Sequence, residues 1–359
     1  MIDRPGSYDQ LRVARVSPLP AVTPGCVRVR VHAIGVNYAD CCVRMGLYSS
    51  QKLYAPFPTS PGFEFAGEIE SVADDVGEAL RRDRSLSVGD KVFGVTRFWA
   101  YAEFVVVPYR QLFAAVPKWT LVQLAAFPAV FLTALYAIRR CAHVQRGAKV
   151  LVHSAGGGVG LALCQLLRTL DCEIVGVVGR PHKVATAKLA GATHVIDKSV
   201  EANLWARIEQ LVPKFDAVFD ANGVETLRQS YEHVAAGGTL VVYGFHTLMP
   251  PGGDVSIWSA PLAFLRLAFN WLRMPTIDPM TLTTSNRSVS GFNLSYLFDE
   301  IDLFEGFMGE LVDMMKAGQL QPLPLTEFEL ADVGSAHRAL ESAQTVGKMV
   351  LVTRACERS

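Results

Sequence analysis

Residues 149–160, Lys-Val-Leu-Val-His-Ser-Ala-Gly-Gly-Gly-Val-Gly, constrain this chain more than any other stretch. A short β-branched run breaks into glycines and continues as a helical pattern over 161–170. This reads as the first β-turn-α unit of a dinucleotide-binding fold. The strand aims the chain at the ligand, the glycines let backbone N–H groups approach a pyrophosphate, and the helix N-terminus offers unsatisfied donors and a positive dipole end. Ala155, Gly157 and Gly160 fill the key positions of G-x-G-x-x-G, so the first is one methyl off the pattern, with Gly158 and Val159 between the others. Taken alone, such a turn can also be nothing more than a tight connection.

Its context points to a sheet. Short apolar runs recur at 173–179, 193–197, 216–220 and 238–244, separated by helical patterns such as 183–191. Runs without alternation are strands buried on both faces, as in a doubly wound parallel α/β sheet. The first 120 residues differ: 27–31 alternates, and 63–72, 90–95 and 102–107 are short runs punctuated by Gly and Pro, the texture of a compact β-rich barrel. The expected organisation is a β-rich domain over 1–122, a nucleotide-binding domain over 123–294, and a segment over 295–359, with a long helix at 303–317 and a final strand at 349–352.

Composition excludes several classes. Lys plus Arg and Asp plus Glu number 34 each, so there is no electrostatic footprint for nucleic acid. The start of the chain lacks the apolar core of a secretion signal, and no run approaches the roughly 18 apolar residues of a membrane span. Seven cysteines, Cys26, Cys41, Cys42, Cys141, Cys164, Cys172 and Cys356, form no regular framework and fit a reducing compartment, with the cytoplasm as default. Cys41 and Cys42 read as small packing residues.

The motifs Gly35-Val-Asn-Tyr-Ala-Asp40, Gly46-Leu-Tyr48, Pro61-Gly-Phe-Glu64, Gly89-Asp-Lys-Val92, Ala102-Glu103, the 155–160 turn and Gly347-Lys348 together resemble the medium-chain dehydrogenase/reductase superfamily. The resemblance is to its zinc-free quinone oxidoreductase branch, which includes zeta-crystallin. Gly6-Ser-Tyr-Asp9 and Val289-Ser-Gly-Phe-Asn-Leu294 resemble the vesicle amine transport protein group within it. This implies a GroES-like substrate domain, a Rossmann domain that binds NADPH, and a C-terminal segment returning to the first domain. It also implies a cytoplasmic homodimer in which strands near 287–292 pair across a twofold axis. Cofactor contacts are implied for Ala155, Gly157, Gly158, Val159, Gly160, Gly244, Phe245, Phe292, Asn293 and Lys348. Asn37 and Tyr48 are implied beside the nicotinamide and substrate oxygen, and Thr133 at the nicotinamide end. Each of these three also has a plain structural reading: a turn amide, a packing ring, a helix hydroxyl bonded to its own backbone.

The residues themselves address metal and cofactor. Where zinc alcohol dehydrogenases carry a ligand Cys and a ligand His, this chain has Asn37 and Phe63, and it has no C-x-x-C, so a catalytic zinc is not expected. After the second strand, where an NAD enzyme places an acid for the ribose 2′-hydroxyl, stands Gly179-Arg-Pro-His-Lys183. Arg180 and Lys183 suit a 2′-phosphate, though they also read as solvated side chains at a helix start. Lys198 stands where the family often has a Tyr near that phosphate. His153 reads as structural, and His246 is undecided.

Three functions follow: an NADPH-dependent reductase of quinones or α,β-unsaturated carbonyls, a membrane-associated nucleotide-binding protein with little turnover, or a stand-alone enoyl reductase for fatty-acid or polyketide assembly. The segment 262–274, between Pro261 and Pro275, is helical and apolar except for Arg266, Asn270 and Arg273. At about 20 Å it is too short to span a bilayer. It must pack in the core, line a channel for a hydrophobic substrate, or lie in a membrane interface.

Overall fold

The computed structural model describes residues 1–248 and 261–355; Cys356 lies outside them. In chain order the strands are β1 (Cys26–Val36), β2 (Glu64–Val72), β3 (Lys91–Val95), β4 (Phe104–Pro108), β5 (Leu112–Ala114), β6 (Lys149–Val152), β7 (Glu173–Val178), β8 (His194–Asp197), β9 (Phe215–Asp220), β10 (Val234–Val242), β11 (Ser288–Gly291), β12 (Leu325–Glu329) and β13 (Lys348–Val352). The chain forms two compact units: Met1–Ala129 with Ser295–Gly318 and the described residues from Pro322 on, and Val130–Leu294 with Gln319–Gln321. The boundaries expected from the sequence are 122/123 and 294/295.

In the first unit β1 is the organising strand. The alternation legible at 27–31 puts Val27, Val29 and Val31 in the core with Arg28 and Arg30 outward. One edge of β1 pairs with β2; the other is shared by β4, opposite Cys26–Arg30, and β13, opposite Ala33–Val36. The sheet order is β12-β13-β1-β2-β3-β5 with β4 on β1, so the C-terminal strands complete a sheet begun by the N-terminal ones. Its core runs from Val27 and Ile69 to Val333, Met349 and Leu351.

The second unit holds an all-parallel sheet ordered β8-β7-β6-β9-β10-β11. Counted from β6, this is the 3-2-1-4-5-6 order of a doubly wound dinucleotide fold. β6, β7 and β9 are buried at nearly every position, on both faces, which is why apolar and polar residues do not alternate along them.

The helix Pro261–Leu272 departs from the most conservative reading of its sequence, since none of its residues is buried. Asn270 donates to the Thr247 carbonyl at 3.4 Å, and Met274 packs on the unit's core, while Arg266, Arg273 and the large apolar side chains face outward. The polar stripe therefore splits, with the amide inward and both arginines at the surface.

Candidate functional site

The glycine turn leaves the C-terminal end of β6, beside β9, where the strand order reverses. Ligands of open α/β sheets bind at such a switch point. Gly157 caps the helix Gly158–Arg168, and Gly157, Gly158 and Val159 are partly exposed. Gly160 admits no side chain: a Cβ would lie 2.3 Å from the Ser154 carbonyl oxygen and 2.7 Å from Ala155 Cα. Ala155 shows why a methyl is accepted at the first position. Its N–H donates to Val177 O at 2.9 Å, and its methyl lies over Gly176 of β7, which offers no side chain to meet it.

Basic groups gather at the end of β7. Lys183, buried at 9% exposure, lays its stem on the turn, where a Cβ on Gly156 would meet its Cβ and Cδ at 2.9 Å. Burial first, then the neighbouring Arg180 charge, lowers the Lys183 ammonium below the usual lysine range. Arg180 is exposed and donates to Gly179 O at 3.0 Å, and Lys198 Cε would be 3.8 Å from a Cβ on Gly179. Three cations around one strand end, without the acid an NAD site places there, suit an added phosphate.

The other expected cofactor residues of this unit lie after β10 and β11. Gly244 runs close to Ala221, with a Cβ there 3.1 Å from its carbonyl oxygen, and Phe245 is 41% exposed. The Phe292 ring packs against Tyr136 with centroids 4.8 Å apart and planes tilted by 41°, Asn293 follows it half-buried, and Thr133 sits half-buried on the helix Pro128–Tyr136. Burial pushes half-buried His246 down to about 4.

His153 is structural. Fully buried, its Nε2 lies 3.0 Å from Ser230 Oγ, which donates to Asp220 Oδ2 at 2.7 Å. Asp220 also accepts from Thr226 Oγ1 and from the backbone of Asn222 and Gly223, so it ties the turn after β9 together. Burial holds the imidazole below its ordinary value and hence neutral.

The first unit carries a second cluster. Asn37 precedes the helix Tyr38–Arg44, and its N–H donates to Asp40 Oδ2 at 2.8 Å. The other Asp40 oxygen accepts from the Gly62 N–H at 2.7 Å, and burial raises this carboxyl to about 7 despite both bonds. Asn37 Nδ2 donates to Glu64 Oε1 at 2.9 Å, and Lys348 Nζ donates to Glu64 Oε1 (2.6 Å), Asn37 Oδ1 (2.8 Å) and Val36 O (2.8 Å). Glu64 and Lys348 are buried, so Lys348, expected at the cofactor, spends its hydrogen bonds on the Asn37 loop. Sequence reasoning assigned no role to Glu64; an acid inside the apolar run Phe63-Glu-Phe-Ala66 was the available signal. Tyr48 caps the helix Ser49–Tyr54, with its ring edge-on to Phe63 (5.8 Å) and Phe98 (6.2 Å).

A metal does not fit this cluster. The Phe63 ring is packed on Phe98 at 5.0 Å, and the Asn37 oxygen already faces an ammonium. Elsewhere Cys41, His337 and Glu341 bring ligand atoms within 4.8 Å of one another, but Arg44 and Tyr8 take the two Glu341 oxygens at 2.7 and 2.6 Å. The Arg44 guanidinium already supplies the positive charge there, and burial pushes the Cys41 thiol well above its usual range.

Comparison with known proteins agrees with this architecture. Residues 23–118 match the alcohol dehydrogenase GroES-like domain family, and residues 158–303 match the zinc-binding dehydrogenase family. The human synaptic vesicle membrane protein VAT-1 homolog is 30% identical over 349 residues, covering 97% of this chain and 84% of that protein. Among solved structures, a quinone oxidoreductase of Pseudomonas syringae superposes with a TM-score of 0.81 at 29% identity, over 98% of both chains. A mycobacterial protein solved in complex with NADPH gives 0.81 at 28% identity, again over 98% of both. With a GroES-like domain, a 3-2-1-4-5-6 sheet and relatives that match nearly all of this chain, the chain belongs to the medium-chain dehydrogenase/reductase superfamily.

Proposed function

We propose that this protein is an NADPH-dependent, zinc-independent reductase of quinones or α,β-unsaturated carbonyl compounds. The observation that carries the reading is the cation group at the end of β7, with Lys183 laid along the glycine turn and Arg180 and Lys198 beside it. The Gly157 N–H closes the turn on Ser154 O at 2.9 Å, so the pyrophosphate is assigned to the N–H groups of Gly158 and Val159 at the helix start, and the 2′-phosphate to Arg180, Lys183 and Lys198. Gly244, Phe245, Phe292 and Asn293 are assigned to the rest of the cofactor. NADPH, when bound, supplies a hydride to the electrophilic carbon of the substrate.

The chain's own part is to hold the substrate and stabilise the charge that develops on its oxygen. Asn37 is assigned as a donor to that oxygen, Thr133 to the nicotinamide end, and Tyr48 to proton delivery, since a phenol can donate a proton that an amide cannot realistically lose. The GroES-like part over 1–122 and the returning segment 295–359 form the substrate side of this assignment, and 123–294 the cofactor side. Zinc independence is supported by the packed ring of Phe63 and the ammonium on Asn37.

Two further features belong to the reading. The exposed apolar helix Pro261–Leu272 supports peripheral contact with a membrane by an otherwise cytoplasmic protein. β11, paired with β10 along one side among the described residues, supports a twofold dimer that extends the sheet. The deciding experiment is NADPH oxidation by the purified protein with a panel of quinones, enals and enoyl thioesters. Turnover of the first two supports the proposal. Preference for thioesters favours an enoyl reductase, and no turnover with tight NADPH binding favours a nucleotide-binding membrane protein.

A further inference from the structure

We infer that Lys348 and Glu64 are positioning residues that lock the Asn37 amide so that it presents an N–H, and only an N–H, to the oxygen of the substrate. The inference rests on the reductase reading and adds to it how the first unit makes an oxyanion donor without a metal.

The amide is held from both ends by opposite charges. Its oxygen accepts from the Lys348 ammonium at 2.8 Å, and one of its two Nδ2 hydrogens goes to Glu64 Oε1 at 2.9 Å. A flipped amide would turn its oxygen toward the carboxylate and its NH₂ toward the ammonium, so charge alone fixes which end points where. With the oxygen and one hydrogen committed, the second Nδ2 hydrogen is what half-buried Asn37 has left to offer a ligand. A cation on the amide oxygen also draws density from nitrogen and makes that hydrogen a better donor.

The surroundings are built for this arrangement. Glu64 is fully buried, and its Oε2 accepts the Ala129 N–H at 2.8 Å, at the start of the helix Pro128–Tyr136. Room for the carboxylate depends on Gly35, where a Cβ would lie 2.3 Å from Glu64 Oε1 and 2.4 Å from the Ala125 carbonyl oxygen. The third bond of the ammonium goes to Val36 O at 2.8 Å, beside the residue it orients. A buried ion pair is weak evidence for stability, because desolvation offsets its attraction. Here the pair accounts for an orientation.

The test neutralises both charges together, since Lys348→Met alone strands the Glu64 carboxylate and risks the fold. The double variant Glu64→Gln/Lys348→Met is compared with Asn37→Ala and with the triple variant, using trans-2-hexenal and 1,4-naphthoquinone as probes. NADPH affinity is read by fluorescence titration and folding by circular dichroism. The double variant is expected to lose about a hundredfold in kcat, the scale of one oxyanion donor, with NADPH Kd within twofold of the original. Adding Asn37→Ala to it should then cost no more than about twofold, because the three residues act as one unit. Three outcomes overturn the inference: a double variant that keeps kcat within twofold, losses that multiply independently, or a tenfold rise in NADPH Kd with kcat unchanged, which would make Lys348 a cofactor ligand. An original protein that oxidises NADPH with neither probe defeats the reductase reading itself, and this inference with it.

Discussion

Replacing Leu265, Phe269 and Leu272 together with Ser should release the protein from anionic membranes while leaving its fold intact. These residues recur at helical spacing on the outward face of Pro261–Leu272 and are 62%, 59% and 75% exposed. Substitutions at such positions usually change stability by about 0.5 kcal/mol or less each, so Tm should move by no more than a few degrees. A membrane would bury what the fold leaves open. Full burial of a Leu or Phe is worth roughly 1.5–3 kcal/mol, and about two-thirds of that remains available here, so the triple change should cost on the order of 4 kcal/mol of membrane binding. That is about a thousandfold in partition coefficient. Residues 261–277 contain no acid, and Arg266 on this helix and Arg273 just after it are exposed. Binding should therefore favour phosphatidylserine over phosphatidylcholine vesicles by about 1 kcal/mol per arginine, and Arg266→Glu/Arg273→Glu should remove the preference. Cosedimentation with liposomes of both compositions, alongside thermal melts, decides the matter. Unchanged sedimentation of the triple variant refutes the membrane reading, and a Tm drop of 8 °C or more returns the helix to the core. If long-chain substrates alone lose turnover, the helix lines a channel.

Wild-type protein should bind NADPH at least about tenfold more tightly than NADH, and Arg180→Ala should erase most of that gap; equal affinities at the outset would remove the 2′-phosphate site. Elemental analysis should find no stoichiometric zinc, and activity should survive a chelator, whereas one zinc per chain would overturn the account of Asn37 and Phe63. Sedimentation at micromolar concentration should give a dimer, and a monomer would leave β11 as an uncovered edge. For pH, burial raises Asp40 to about 7 from an ordinary 3.8, so its contribution is fully present below about pH 4 and is lost as pH rises through 7. Asp40→Asn should therefore gain in urea midpoint relative to wild type between pH 5 and pH 8, and an unchanged difference would refute the raised value. Buried His337 and half-buried His246, pushed down to about 3 and about 4, destabilise both proteins below pH 6.5 and cancel in that comparison.

What could be read in the sequence was what neighbouring residues decide together. The glycine turn was legible because strand, turn and helix are contiguous, and the apolar runs were legible because strands covered on both faces must be apolar throughout. The order of those strands was not legible, since pairing β6 with β9 depends on contacts that no local pattern records. The same limit hid the chemistry of the first unit. Lys348 lies 284 residues from Glu64 and meets it only because β13 closes on β1, so each read alone as a family position without a partner. His153 likewise becomes structural only when Ser230 and Asp220 arrive beside it. The helix Pro261–Leu272 shows the opposite failure: its apolarity was plain, but apolarity states that a face needs covering and not by what. Burial in the core was the cheapest answer from sequence, and the structure instead leaves the face outward. Leu262, Leu265, Phe269 and Leu272 share one side of this helix at 59–80% exposure, and keeping them at the surface costs solubility, so an apolar face on an otherwise charge-balanced protein points to an interaction outside this fold.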